Sequence, residues 1–216
     1  MIAKNAQPIV FVVDDDESVR ESLQYLLRSV GLECQAFASA AEFLGIYDRA
    51  QPGCLVLDVR MPGLSGPELQ RLLNLRGAII PVIFITGHGD ISMAVDAMQQ
   101  GASDFLQKPF RDQDLIDRIQ RALEKDGRTR AALEEHASIR ERIATLTPRE
   151  RQVLKLMTQG KANRIMAHEL GLSRRTVEIH RARVMAKSGA ASLAQLVRMM
   201  TDVESQAPQT DGGSAY

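Results

Sequence analysis

The stretch Cys54-Leu55-Val56-Leu57-Asp58-Val59-Arg60-Met61-Pro62-Gly63 contains a short apolar run that ends at a carboxylate and then breaks at Pro-Gly. Four apolar residues bounded by turn formers predict a strand that is buried on both faces, as in a parallel sheet. Burying a carboxylate is costly without partners, so an acid at the end of such a strand indicates a site. Taken alone, Asp58 fits a loop cap equally well, and the rest of the chain decides between the two interpretations.

The chain has 216 residues, which predicts two domains of about 100 residues or fewer. Residues 1–127 hold 18 Asp/Glu against 12 Lys/Arg, and residues 128–216 hold 9 against 15, so the net charges are −6 and +6. A basic second half favours a polyanion partner for that half. We expect a cytoplasmic protein without a membrane partner, because the sequence shows no membrane-spanning run, no signal-peptide pattern and only two cysteines.

Strand and helix patterns alternate five times over residues 1–126. Strands are predicted at 9–13, 34–37, 54–58, 82–86 and 103–107, with helices at 18–30, 39–47, 67–75, 91–100 and 112–125. This alternation predicts a parallel sheet with right-handed crossovers and helices on both faces. If the strand order is 2-1-3-4-5, the first and third strands are neighbours, and their carboxyl ends form the ligand site.

Polar side chains stand at these carboxyl ends: Asp14, Asp15, Asp58, Thr86 and Lys108. Three carboxylates in one pocket repel each other and require a hard cation, for which Mg²⁺ is the best candidate. A lysine and a threonine beside them suit an incoming phosphoryl group, as a point charge and a hydroxyl donor. Asp58, a single acid on a central strand, is the predicted nucleophile, and Asp14 and Asp15 are the predicted metal pair.

These motifs resemble the receiver domain of two-component response regulators over about residues 7–126. The matching segments are Val13-Asp14-Asp15, Asp58-Val-Arg-Met-Pro-Gly63, Thr86-Gly-His-Gly89 and Lys108-Pro109-Phe110. The resemblance implies a flavodoxin-like fold in which Asp58 takes phosphate from the phosphohistidine of a sensor histidine kinase. It implies a Mg²⁺ site made of Asp15, Asp58 and the backbone carbonyl of Arg60, assisted by Asp14, and a cis Lys108-Pro109 peptide.

The resemblance also implies a switch, in which Thr86 moves toward the phosphoryl oxygen and Phe105 turns into the space it leaves. This would repack the face formed by residues 91–100, 103–107 and 112–125, through which the phosphorylated protein dimerises. Phe105 fits an ordinary core aromatic equally well. His88, which has no ligand cluster around it, is interpreted as a plain loop residue rather than a base or a metal ligand.

The predicted domain limits are 1–126 for the receiver, 127–145 for a helical linker, 146–203 for a basic module and 204–216 for a disordered tail. Gly127 is expected to interrupt the chain before the linker helix. Apolar residues recur in the linker at roughly helical spacing, but too few heptads are present for a coiled coil.

The basic module is predicted to contain four helices. Thr147-Pro-Arg-Glu150 is a capping box with proline at the first helical position, and further helices are expected at 162–170, 173–187 and 193–200. Two short helices joined by a Gly171 turn, the second of them basic, indicate a helix-turn-helix. Residues 146–200 hold 11 Lys/Arg against 3 acids, which favours DNA binding over a merely solvated basic bundle.

The third helix of the module is the predicted recognition helix. Val177 and Val184 are expected to pack inward, while another stripe would contact bases in the major groove: Arg175, Glu178, Ile179 and Ala182. Phosphate contacts are predicted for Lys161, Asn163, Arg174, Thr176, His180, Arg181 and Lys187.

The segments Thr147–Leu154, Gly160–Ala167 and 173–181 are similar to the LuxR-type, four-helix module, and with the receiver the chain resembles FixJ-like response regulators. One departure is Lys187-Ser188-Gly189, where many relatives have a bulkier apolar residue after the lysine. This departure leaves the packing of the fourth helix open.

The resemblance implies a transcription regulator that catalyses only its own phosphotransfer and slow autodephosphorylation. When phosphorylated it would form a homodimer on two half-sites of promoter DNA, contact RNA polymerase and act as an activator.

Two rival hypotheses come from other classes of protein. A phosphohydrolase would need an acid two residues after the nucleophile, where this chain has Arg60. An adaptor would bind protein through its C-terminal module, and the salt dependence of duplex binding distinguishes it.

Overall fold

The β-branched and apolar runs form five parallel strands, and their order is the predicted one. In the computed structural model, which describes residues 6–87, 95–96 and 98–205 (without the side chains of 203–205), the order is β2-β1-β3-β4-β5. The strands are β1 Ile9–Val13, β2 Glu33–Phe37, β3 Gly53–Asp58, β4 Val82–Thr86 and β5 Asp104–Gln107. In β3 every residue before Asp58 is buried, as the continuous apolar run predicts.

Helices cover both faces of this sheet. They are α1 Glu17–Ser29, α2 Ala40–Ile46, α3 Gly66–Leu75 and the start of α4, Asp112–Ala144. Leu27 of α1 and Leu115 of α4 pack with Ile83 on one face, whereas Phe43 and Leu69 of α2 and α3 pack on the other. The sheet is therefore buried on both sides, and its strand ends are left to form a site.

The chain divides into two compact units, Met1–Arg130 and Ala131–Tyr216, and α4 runs through the boundary. The predicted helix end at residue 125 and the predicted break at Gly127 are wrong, because Gly127 lies inside α4. A single exposed glycine costs a helix only about 1 kcal/mol relative to alanine, and the helix-forming residues around it outweigh that cost. The domain limits given above remain predictions.

The second unit contains α5 Pro148–Thr158, α6 Asn163–Leu170, α7 Arg174–Ser188 and α8 Leu193–Ser205. Its core joins Met157, Met166, Val177 and Leu196 from all four helices. Leu196 is fully buried, so α8 packs on this core despite the unusual residues before it.

The turn between α6 and α7 forms as predicted. Gly171 adopts a left-handed conformation with φ of 64°, which a side chain would strain. Ser173 then caps α7 by accepting a hydrogen bond from the backbone N–H of Thr176.

Some predicted features fall outside the described residues. They include His88, the tail from residue 206 and residues 91–94 and 97 of the helix predicted at 91–100. Of the rest of that helix, residues 95, 96, 98 and 99 are helical and residue 100 is a turn. Among the helices that are described, none combines the length and the apolar composition needed to cross a membrane.

Candidate functional site

The carboxyl ends of β1, β3 and β5 bring three predicted side chains together. The Lys108 Nζ lies 2.9 Å from Asp14 Oδ2 and 2.9 Å from Asp58 Oδ1. The second oxygen of Asp58, Oδ2, accepts a hydrogen bond of 2.7 Å from the backbone N–H of Arg60. One ammonium is therefore divided between two carboxylates. The Lys108-Pro109 peptide is cis, as expected.

The acidic loop after β1 is held in place by hydrogen bonds that the sequence pattern did not reveal. The Arg20 guanidinium donates to the backbone carbonyls of Asp14 and Asp15, at 2.8 and 2.9 Å. Asp14 is buried and Asp15 is exposed, while Asp16 caps α1 by accepting from backbone N–H groups. A basic residue one turn into the helix that follows an acidic loop is the signal that could have indicated this role for Arg20.

Close backbone approach at Gly66 sets the position of α3 against the site. The N–H of Gly66 donates to the carbonyl of Val59, and a Cβ added at Gly66 would lie 2.3 Å from the carbonyl oxygen of Asp58. Any side chain here would push α3 away from the end of β3. Sequence reasoning placed Gly66 just outside the helix and missed this role.

Burial and charge act in opposite directions at this site. Burial raises the pKa of the Asp58 carboxyl, and the charge of Asp14 adds to the effect, so the hydrogen bond from Lys108 offsets it only in part. Burial alone would lower the pKa of the Lys108 ammonium, but hydrogen bonds to Asp14 and Asp58 outweigh it and raise that pKa. The negative charge is therefore incompletely compensated, which favours a further cation.

Thr86 and Phe105 lie on the two neighbouring strands β4 and β5. Thr86 is buried and its hydroxyl donates to the carbonyl of Gly87, at 3.2 Å, so it makes no hydrogen bond to Asp58 here. Phe105 is half-buried, pairs in register with Phe84 and packs against the core on the α2–α3 face. A half-buried aromatic that packs on the core fits both interpretations of Phe105, and its role in a switch stays a prediction.

In the second unit, α7 presents most of its predicted contacts to solvent. The predicted base-contact residues are all exposed: Arg175, Glu178, Ile179 and Ala182. Ile179 is 45 % exposed, whereas Val177 and Val184 are fully buried, so the two predicted stripes of the helix are separate. Of the predicted phosphate contacts on this helix, Arg174 is exposed, and Thr176, His180 and Arg181 are half-exposed.

Three of the side chains predicted to contact phosphate also interact with, or are partly buried by, other residues of the second unit. The Lys187 ammonium donates to Glu150 Oε2 at 2.6 Å and to the carbonyl of Thr145, so its charge is paired inside the unit, and its phosphate contact stays a prediction. Lys161 pairs with Glu169 at 3.3 Å, with both side chains well exposed. The Nδ1 atom of His180 is buried, so one edge of the ring faces inward. Asn163, at the start of α6, is half-exposed.

Glu150 joins the capping box of α5 to the end of α7. Its side chain is 2 % exposed, accepts from the N–H of Thr147 and bonds Lys187. The Lys187 hydrogen bond is the main reason that the pKa of Glu150 falls from its ordinary 4.5 to about 2, and the Thr147 N–H adds to it. The sequence predicted the capping box but not its link to α7.

Comparisons with known proteins agree with the geometry of both units. Residues 10–120 match the response regulator receiver domain, and residues 144–200 match the bacterial regulatory proteins of the luxR family. The chain belongs to the response regulators. It combines a receiver with a LuxR-type DNA-binding domain, as the motifs predicted, and is thus a DNA-binding regulator of the two-component type.

Relatives of this response regulator match over nearly their whole length. The chain is 50 % identical to nodulation protein W of Bradyrhizobium diazoefficiens over 207 residues, which are 96 % of this chain and 91 % of that protein. It is 50 % identical to the transcriptional regulatory protein FixJ of Azorhizobium caulinodans, over 88 % of this chain and 90 % of that one. The structure of the response regulator StyR matches with a TM-score of 0.82 and 48 % identity, covering 91 % and 99 %.

Receiver domains generally bind Mg²⁺ at the site of phosphorylation. Among the described residues, no three His, Cys, Asp or Glu side chains are grouped to hold a metal ion by themselves. Magnesium usually takes only one or two carboxylates and keeps several waters. The buried Asp14 and the half-buried Asp58, with their incompletely compensated charge, fit that requirement.

Proposed function

We propose that Asp58 accepts a phosphoryl group from the phosphohistidine of a sensor histidine kinase. The observation that carries this proposal is the Lys108 ammonium, bonded to both Asp58 and Asp14 where the strands end. An Asp58 oxygen bonds to phosphorus as the histidine N–P bond breaks, and the imidazole leaves with a proton from solvent. The chain catalyses only this transfer and its own slow dephosphorylation.

Lys108 stabilises the transferred group as a positive charge at hydrogen-bonding distance from the accepting carboxylate. Asp14, Asp15, Asp58 and the backbone carbonyl of Arg60 would hold Mg²⁺, which supplies positive charge beside the phosphoryl oxygens. Thr86 exchanges its bond to the Gly87 carbonyl for a phosphoryl oxygen, since its hydroxyl can rotate to a new acceptor.

The Thr86 movement is proposed to be the start of the output. Phe105, half-buried on the next strand, turns into the space that Thr86 leaves. The surface made by β5 and the start of α4, together with residues 95, 96 and 98–100, then repacks, and phosphorylated chains form a homodimer through it. Two copies present two recognition helices, which predicts an operator with two half-sites.

DNA contacts are assigned to the exposed side of α7 and to the start of α6. Arg175, Glu178, Ile179 and Ala182 are proposed to read base edges, since two of them are apolar and yet exposed. Phosphate contacts are assigned to Lys161, Asn163, Arg174, Thr176, His180 and Arg181. We infer that the protein acts in the cytoplasm, where bacterial DNA lies, and activates transcription through contact with RNA polymerase.

The Asp58→Asn variant tests the phosphoacceptor. Asparagine keeps the shape of the side chain but cannot form the acyl phosphate, so uptake of labelled phosphate from acetyl phosphate should fall below detection. Asp104→Asn, a half-buried strand aspartate bonded to Arg118, is the matched control and should label like the wild type. Full labelling of Asp58→Asn would show that another residue accepts the phosphate.

Fluorescence anisotropy with a labelled duplex at increasing salt tests the DNA assignment. Affinity that falls steeply with salt is expected, because phosphate contacts release counterions. The Arg174→Met variant should weaken binding to all sequences and reduce the salt slope by about one. The absence of duplex binding at any salt concentration would favour the adaptor hypothesis instead.

A further inference from the structure

A buried ion pair fixes helix α4 to the receiver at the end of the sheet opposite Asp58. Arg130 Nε lies 2.7 Å from Asp126 Oδ2, and the two side chains are only 8 % and 2 % exposed. Arg130 is the last residue of the first unit. A charged pair this well buried costs desolvation free energy, so its position in the structure calls for an explanation.

The pair holds the segment that leads into β3. Arg130 donates to the backbone carbonyls of Arg49, Ala50 and Gln51, at 2.8 to 3.3 Å. Asp126 Oδ2 also accepts a hydrogen bond of 2.9 Å from the backbone N–H of Gly53, the first residue of β3. The planar guanidinium thus bonds one carboxylate and three successive carbonyls at once, an arrangement that a lysine ammonium cannot reproduce.

The segment from Arg49 to Gly53 is itself tied to other parts of the receiver. Arg49 donates to the carbonyl of Gly77 after α3, and Gln51 donates to the carbonyl of Gln7 before β1. From Gly53, β3 extends over six residues, roughly 17 Å, and ends at Asp58. The ion pair and the proposed phosphoacceptor therefore occupy the two ends of one buried strand.

Beyond Arg130, helix α4 leaves the receiver core. None of the residues 131–138 is buried, and Leu133 is 38 % exposed. The next buried residue, Ile139, belongs to the core of the second unit. The Asp126–Arg130 pair thus stands where the helix passes from a packed section to an exposed one.

We propose that Asp126 and Arg130 are positioning residues that couple the state of Asp58 to the linker helix. The pair holds α4 to the amino end of β3, so that a change at Asp58 reaches residues 131–138 through a rigid strand and a fixed helix. Apolar side chains of similar size would pack α4 on the sheet but would let it slide or turn. The hydrogen bonds of Arg130 fix both the position of α4 along its axis and its rotation about that axis. The inference rests on the proposed phosphorylation of Asp58.

The test compares DNA affinity of the full-length protein with and without beryllofluoride, an aspartyl-phosphate mimic. The probe is a labelled duplex selected from a random pool by the beryllofluoride-treated wild type. We expect a gain of about 10-fold or more for the wild type and of less than about 2-fold for Arg130→Lys. Arg128 is an exposed arginine two residues before Arg130 and is paired with Glu124, so Arg128→Lys should keep the full gain.

A double variant separates positioning from stability. Replacing both partners, Asp126→Leu with Arg130→Met, removes the buried charges together and is expected to leave the fold intact. A reduced gain in this variant, with normal beryllofluoride binding by the receiver, supports the proposal. A wild-type gain in Arg130→Lys or in the double variant overturns it. If the wild type itself shows no gain, the proposed function fails first.

Discussion

Two lysine–carboxylate groups in this protein have similar geometry but differ in how fully the negative charge of the carboxylates is compensated. In the receiver, the Lys108 ammonium lies 2.9 Å from both Asp58 and Asp14. In the DNA-binding unit, the Lys187 ammonium lies 2.6 Å from Glu150. The two lysine side chains are 30 % and 35 % exposed, so exposure of the cation does not distinguish the groups.

The difference lies in what else surrounds each carboxylate. Asp58 shares its lysine with Asp14 and has one backbone donor, and burial leaves its pKa raised. Glu150 does not share Lys187 with a second carboxylate among the described residues and also accepts from the Thr147 backbone, and its pKa is about 2. The carboxylates of the receiver lack full charge compensation and are suited to bind a further cation. The charge of Glu150 is compensated, and its contact with Lys187 links α5 to α7.

Removing Lys108 should have the largest effect. In Lys108→Met, the phosphoryl group loses its direct cationic donor, so the rate of phosphorylation by acetyl phosphate should fall about 100-fold. Lys125→Met, which removes an exposed lysine bonded to Ser103, should react at the wild-type rate. A wild-type rate in Lys108→Met would mean that the receiver pair, too, is only structural.

Removing Lys187 should change stability instead of chemistry. In Lys187→Met, Glu150 stays buried without its cation, so the melting temperature of the second unit should fall on the order of 10 °C while phosphorylation is unchanged. Calorimetry of the full-length protein measures both units. Arg183→Met, an exposed change on the same helix, is the control. An unchanged melting temperature would contradict a structural role for Lys187 and would favour its predicted contact with DNA phosphate.

The pH dependence of stability should show the smallest effect, and it tests whether the ionised carboxylate of Glu150 is what stabilises the second unit. Because the folded pKa of Glu150, about 2, lies below its ordinary 4.5, its contribution to stability is complete above pH 4.5 and is lost as pH falls toward 2. Glu150→Gln should therefore be less stable than the wild type at neutral pH, with the difference shrinking through that window. A difference that is constant with pH would show that ionisation of Glu150 is not responsible.

Much of the molecule follows from short-range sequence signals. The apolar run before Asp58 predicted a buried central strand, and Thr147 and Glu150 predicted the start of α5. Gly171 and Ser173 predicted the turn before α7. Each of these signals acts over a few residues, through side-chain periodicity, capping or permitted φ, and tertiary contacts did not override them. At Gly127 the local signal failed, because the helix around it was stronger.

Contacts between distant residues could not be predicted in the same way. Lys187 was predicted to contact phosphate, but nothing in the sequence indicated that its ammonium would bond Glu150, which lies 37 positions earlier in the chain. Nothing around Arg130 indicated that it would bond carbonyls about 80 positions away. A charge pattern shows that a side chain needs a partner, but the fold decides which partner is near.

The sequence by itself determined the alternation of strands and helices, the buried strand that ends at Asp58 and the helix-turn-helix, because periodicity, caps and turns are local properties. The strand order was predicted only through the resemblance to the receiver domain, because pairing of strands is not a local property. Tertiary structure alone decided how the charges are shared. It divides Lys108 between Asp14 and Asp58, assigns Lys187 to Glu150 and buries Arg130 against the start of β3. The energy of an ion pair depends on distance, burial and competing partners, and all three are defined only once the chain has folded.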